Sequence, residues 1–191
     1  MIAGVVLAAG EGRRFGGGKQ LALLDGRPLL EHALAEAAAT DGLERRFVVL
    51  GANAERILAT VEMHGHEVVL CSDWAEGMAA SLRAGVGAAR SAGAGAILIT
   101  LGDQPRIGAE AIARVLAARG GPDGDSRAVR ASYGSVPGHP ALLELQGDEG
   151  ARGVFTSANT YLVPCDDVAV PTDVDVIGDL AAVSQPQREQ T

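Results

Sequence analysis

Aromatic residues are scarce: the 191 positions hold three phenylalanines, two tyrosines and one tryptophan. Stacking platforms for single-stranded nucleic acid need successive aromatic side chains, so that class is excluded and the core must come from alanine, valine, leucine and isoleucine. Cysteine is almost absent. Cys71 and Cys165 form no CxxC pair, which argues against a disulfide framework or a zinc site. Cations are outnumbered, 16 against 24 acidic residues, and the formal charge of −8 disfavours a nucleic-acid backbone as partner. Long apolar runs are missing too: residues 5–9 and 96–101 fall far short of the roughly 20 residues a membrane span requires. With no basic segment in Met1-Ile2-Ala3-Gly4, a cytoplasmic protein that engages neither membrane nor nucleic acid is expected.

Glycine, by contrast, is abundant at 26 residues, which implies tight turns or places where backbone approaches a ligand. Short apolar segments alternate with stretches of helical period. Residues 2–8, 47–50 and 67–71 read as strands, and 96–101 as a buried strand. Between them, helices are expected from Pro28 onward, with Leu30, Ala33, Leu34, Ala37 and Ala38 on one face, over residues 54–63, and along Met78, Leu82 and Val86. Another follows at Ile112, Val115 and Leu116, and less regular pieces lie at 128–133, 161–165 and 177–183. Alternation of this kind predicts an α/β, doubly wound, mostly parallel sheet. One domain over residues 1–184 and a disordered polar tail over 185–191 are expected.

Ligands of such sheets sit beyond the carboxyl ends of the strands. After the first strand comes Leu7-Ala8-Ala9-Gly10-Glu11-Gly12-Arg13-Arg14-Phe15-Gly16-Gly17-Gly18-Lys19-Gln20. Five glycines let backbone N–H groups converge on an anion, and Arg13, Arg14 and Lys19 add positive charge, so a phosphate-bearing ligand is expected. A Walker A loop fails twice, because Arg13 and Gln20 occupy its glycine and Ser/Thr positions. A dinucleotide fingerprint finds no acidic partner in Leu50-Gly51-Ala52-Asn53. After the strand 96–101, Asp103 emerges on the same rim, where a magnesium ligand must stand to meet a triphosphate.

Leu7-Ala8-Ala9-Gly10, Arg14, Gly16 and Lys19 resemble the LAAGxSxRMGxxK signature of the MobA-like nucleotidyltransferases. Gly77-Met78-Ala79-Ala80-Ser81-Leu82, Gly102-Asp103-Gln104-Pro105, Gly138-His139-Pro140 and Gly147-Asp148-Glu149-Gly150-Ala151-Arg152 are similar to the molybdenum cofactor cytidylyltransferase branch. The resemblance runs from Val5 to about Leu180. It implies a Rossmann-like three-layer sandwich of the nucleotide-diphospho-sugar transferase type. It further implies Mg²⁺-dependent transfer of CMP from CTP to a molybdopterin-type acceptor, and a molybdenum hydroxylase of the xanthine dehydrogenase type as a further partner.

On this reading Arg14, Lys19 and Asp103 carry the chemistry, and Leu7, Ala8, Ala9, Gly10, Gly12, Gly77 and Ser81 join Arg14 and Lys19 in holding the nucleotide. Asp103 and Asp175 hold the metal, while His139 and Arg152 face the acceptor. Asp175 belongs to Asp173-Val174-Asp175-Val176-Ile177-Gly178-Asp179-Leu180, which resembles the family's D-x-D-T-P-E-D-L segment but lacks its T-P-E. Gly12 and Phe15 also depart from the signature's serine and methionine. Three alternatives stay open: another phosphorylated acceptor, an NADPH-dependent oxidoreductase of the nicotine-blue type, and a non-catalytic carrier of the molybdenum cofactor. Gly138-His139-Pro140 also admits a plain turn, and Trp74 a packing role.

Overall fold

The computed structural model describes residues 1–145 and 160–184. Arg152 and the tail at 185–191 lie outside them. Seven strands form one sheet in the order β5-β4-β1-β6-β8-β7-β9. These are β1 (Ile2–Ala8), β4 (Arg45–Leu50), β5 (Glu67–Leu70), β6 (Ala96–Leu101), β7 (Ala128–Tyr133), β8 (Val136–Glu144) and β9 (Thr160–Pro164). Leu23–Leu24 (β2) and Arg27–Pro28 (β3) make a separate two-stranded ribbon. All seven run parallel except β8, which is antiparallel to both β6 and β7.

Helices cover both faces. On one side α1 (Leu29–Ala39), α2 (Ala54–Thr60) and α4 (Ala109–Ala117) bury Leu30, Leu34, Ile57 and Ile112 against Val6, Val48, Leu50 and Leu98. On the other, α3 (Met78–Ser91) packs Ala80, Val86 and Ala89 against Val5, Leu7, Val49 and Ile97. Covering both faces is why β1 and β6 are continuous apolar runs. The result is a three-layer α/β sandwich of the nucleotide-diphospho-sugar transferase type, as expected. No helix among the described residues is long and apolar enough to cross a membrane.

Two local expectations need correction. His139 is not in a turn; it lies inside β8, between two strands. Pro140 can donate nothing to a ladder, and the pairing of β7 with β8 is interrupted there, passing from Arg130↔Ala141 to Ser132↔Pro137. The apolar stripe along α3 is also shifted. Met78 is 63% exposed, and the helix instead seats small residues on the sheet. A Cβ at Gly85 would fall 2.6 Å from Val5 Cγ1, so this glycine sets how closely α3 approaches.

Strand order reverses about β1. The chain first builds outward through β4 and β5, then returns to place β6 on the opposite side of β1. The carboxyl ends of β1 and β6 therefore flank the crevice in which ligands of doubly wound sheets sit.

Candidate active site

A cleft of about 380 Å³ opens at that point. Leu7, Ala8, Ala9, Gly10, Gly12, Arg14, Lys19, Gly77, Ser81, Asp103 and Asp175 all line it. Every residue assigned to nucleotide, metal or chemistry from the sequence thus meets in one place, drawn from four separated segments.

The glycine-rich loop is folded back on itself by Gly17 N–H to Gly12 O (3.0 Å) and Gly18 N–H to Glu11 O (3.2 Å). Gly12 (φ 72°) and Gly16, Gly17 and Gly18 (φ 96°, 96° and 64°) adopt the left-handed region that favours glycine. The reversal lays the Lys19 stem over Gly12, where a Cβ would stand 3.2 Å from Lys19 Cβ and Cγ. Glycine at position 12 therefore accompanies a close lysine, and this accounts for the departure from serine.

Asp103 is delivered by β6. Gly102 passes so close to β1 that a Cβ there would lie 2.8 Å from Leu30 Cδ1 and 3.0 Å from Ala8 Cβ, and its N–H binds Leu7 O at 3.0 Å. The segment 173–175 is then clipped to Asp103 by Val174 N–H to Asp103 O, 3.0 Å. Val174 is fully buried with Leu24, Leu29 and Val183, and Phe15 packs on the same cluster. Burying the middle residue holds Asp173 and Asp175 beside Asp103. Although T-P-E is missing, Asp179 accepts the N–H groups of Asp175 (2.7 Å) and Val176 (2.8 Å) at the entrance of α5 (Ile177–Val183).

These supports bring four charges together. Lys19 Nζ lies 2.6 Å from Asp103 Oδ2 and 3.1 Å from Asp175 Oδ1, and Arg14 Nη1 stands 3.4 Å from Asp175 Oδ2. Burial pulls the Lys19 pKa down, but Asp103 and Asp175 outweigh it, so the ammonium is held above its ordinary value. Asp173 is pushed up, mainly by burial and further by Asp103 and Asp175, against the pull of the Gln104 amide hydrogen bond at 2.8 Å.

Two carboxylates from distant segments converging on one cation are an all-oxygen donor set of the kind magnesium and manganese take. The lysine ammonium stands in for such an ion, so Asp103 and Asp175 fit a divalent metal. Glu31, Glu62 and His64 also gather ligand atoms within 4.8 Å of one another, but none of the three lines the cleft.

On the base side, Ser81 is 5% exposed and lines the cleft. Trp74 lines the same wall while packing on the sheet, and a Cβ on Gly51 would lie 2.5 Å from Trp74 Cβ. His139 stands outside the cleft wall. Burial, reinforced by Arg130 and opposed by Asp103, lowers its pKa to about 4, so the ring is neutral near pH 7. Arg130 Nε donates to Gly138 O at 3.2 Å, and Tyr133 O–H to His139 O at 2.8 Å.

Residues 4–157 match the MobA-like NTP transferase domain. The chain belongs to the MobA-like NTP transferase family. Nicotine blue oxidoreductase of Paenarthrobacter nicotinovorans is 34% identical over 92% of this MobA-like chain and 93% of that protein. A 2-C-methyl-D-erythritol 4-phosphate cytidylyltransferase of Cereibacter sphaeroides is 34% identical over 84% of the chain and 68% of its own length. Among solved structures, Rv0371c of Mycobacterium tuberculosis in complex with manganese superposes with a TM-score of 0.73 at 28% identity, covering 95% and 97% of the two chains. The MobA-like fold is thus shared by relatives named for different reactions.

Sequence reasoning passed over Gln20, Met78 and Leu101, which also line the cleft. Gln20 is 3% exposed, and nothing in a single glutamine after Lys19 signals burial. Met78 was hidden by its helical spacing, which reads as core.

Proposed function

We propose that this protein is a nucleotidyltransferase that moves CMP from CTP to a phosphorylated acceptor of the molybdopterin type and releases pyrophosphate. The observation that carries the reading is the meeting of Lys19, Asp103 and Asp175 under the glycine-rich loop. Arg14, Lys19 and the amides of the loop would bind the triphosphate, and Leu7, Ala8, Ala9, Gly10 and Gly12 form the wall against which it lies. Gly77 and Ser81 would meet base and ribose. The scarcity of aromatic side chains leaves the base to backbone and small residues, with Trp74 at the edge.

An oxygen of the acceptor phosphate forms the new bond to the α-phosphorus, and the bond from that phosphorus to the bridging oxygen breaks as pyrophosphate leaves. The nucleophile is already anionic, so no protein base is required, and the protein's task is alignment and charge neutralisation. Mg²⁺ held by Asp103 and Asp175 would neutralise charge on the α-phosphate and the leaving group. Arg14 and Lys19 would add positive charge against the same phosphates. His139 and Arg152 would face the acceptor, and a molybdenum hydroxylase of the xanthine dehydrogenase type would receive the product.

A second reading rests on the end-to-end similarity to nicotine blue oxidoreductase. The end of β4, Leu50-Gly51-Ala52-Asn53, offers no carboxylate for a nicotinamide-nucleotide ribose, which favours the transferase. Pyrophosphate release on mixing protein, CTP, Mg²⁺ and molybdopterin tests the proposal, with GTP in place of CTP testing the base. NADPH oxidation without pyrophosphate release would favour the oxidoreductase, and binding without either product the carrier.

A further inference from the structure

Gln20 is buried at the foot of the glycine-rich loop, and its Nε2 donates to two carbonyls of the segment leaving β1: Ala8 O at 3.0 Å and Gly10 O at 2.5 Å. Its Oε1 is buried without a hydrogen-bond partner among the described residues. A buried acceptor left unpaired is costly, and a leucine would fill the same space without that cost, so the side chain is held there by its donor. A trans peptide points its C=O and N–H in opposite directions. Fixing the carbonyls of Ala8 and Gly10 therefore fixes the N–H groups of Ala9 and Glu11 on the opposite side. Ala9 O is held separately by Ala52 N–H at 3.0 Å, which orients the N–H of Gly10. The N–H groups of Gly10, Glu11 and Gly12 have no acceptor among the described residues.

We infer that Gln20 is a positioning residue for triphosphate recognition: by clamping two carbonyls beneath the loop, it presents the amides of Ala9 and Glu11 to the phosphates. The inference rests on the proposed nucleotidyl transfer and adds to it a residue that touches no reacting atom. Gln20 acts through the peptide planes, whereas Lys19, its neighbour, acts through charge.

Gln20→Met keeps length and volume and removes the donor; Gln20→Glu keeps the shape and turns a carboxylate toward both carbonyls. Titration calorimetry with inorganic tripolyphosphate and Mg²⁺ reads the phosphate site alone. The expected result is binding at least about tenfold weaker in Gln20→Met, and weaker still in Gln20→Glu, measured below a melting temperature that itself falls because the Ala8 and Gly10 carbonyls lose their donor. Tripolyphosphate affinity within about twofold of the unaltered protein in a folded Gln20→Met overturns the inference. Should neither variant fold, the ¹⁵N–¹H spectrum of the unaltered protein decides: tripolyphosphate must shift the Glu11 amide, and an unmoved resonance overturns the inference. Failure of the unaltered protein to bind either tripolyphosphate or CTP would instead remove the nucleotidyl reading, and the role of Gln20 with it.

Discussion

Lys19 Nζ and Asp103 Oδ2 stand 2.6 Å apart, and the same nitrogen is 3.1 Å from Asp175 Oδ1. The ammonium occupies the space between the two carboxylates proposed to hold the metal. A divalent ion entering there meets a resident unit charge at close range. Even at an effective dielectric constant of about 20, that repulsion exceeds the roughly 1.4 kcal/mol that makes a factor of ten in affinity. Metal should therefore bind weakly until a triphosphate draws Lys19 away. In Lys19→Met, Mn²⁺ affinity without nucleotide is expected to rise about tenfold or more, while tripolyphosphate affinity falls. Electron paramagnetic resonance of free Mn²⁺ reads the first change, and equal Mn²⁺ affinity in both proteins counts against it.

Turnover depends on the same pair in the opposite sense. Lys19→Ala and Asp103→Asn should each lower the rate of pyrophosphate release by about 100-fold or more, the size of loss usual when one preorganised electrostatic contact is removed. Because the two side chains form a largely buried ion pair, some loss of stability is expected as well, and rates are compared at a temperature where far-UV circular dichroism shows each variant folded. A near-normal rate in either variant would sink the assignment of that residue.

The sheet was legible wherever both faces of a strand are covered, because residues 2–8 and 96–101 then read as uninterrupted apolar runs. β8 was not, since Pro137, Gly138 and Pro140 suppress every strand signal in a segment that tertiary pairing nevertheless places inside the sheet, between β6 and β7. The phosphate loop and Asp103 could be read because their residue types are demanded locally, by left-handed turns and by the end of a strand. Asp175 depended on resemblance alone; what places it is the burial of Val174, a long-range contact. Gln20 carried no signal, because one buried glutamine has no periodicity.

The pH dependence of stability should carry the mark of His139. Its pKa falls from 6.5 in the unfolded chain to about 4 in the fold, through burial first and Arg130 second. Between those limits the unfolded chain binds a proton that the folded one refuses, so stability is lost as pH drops from 6.5 toward 4 and levels off below. At about 1.4 kcal/mol per tenfold change in proton affinity, the loss is at most about 3 kcal/mol. Thermal melts of His139→Gln should show a shallower decline across that window. An identical slope in the variant would show that other groups govern it.

Trp74 is the single tryptophan of the chain and lines the cleft, so its emission reports on the site without added label. Its position depends on Gly51: a Cβ there would stand 2.5 Å from Trp74 Cβ and 2.7 Å from Ala9 O, both too close to accept. Gly51→Ala must therefore push the indole outward or displace the end of β1, whose Ala9 carbonyl is held by Ala52 N–H. Overpacking of this kind costs about 1–3 kcal/mol. The expected outcome is a lower melting temperature, emission shifted to longer wavelength, and weaker CTP binding, because Ala9 and Trp74 belong to one wall of the cleft. An unchanged emission maximum together with an unchanged melting temperature would mean that Gly51 does not set the position of Trp74.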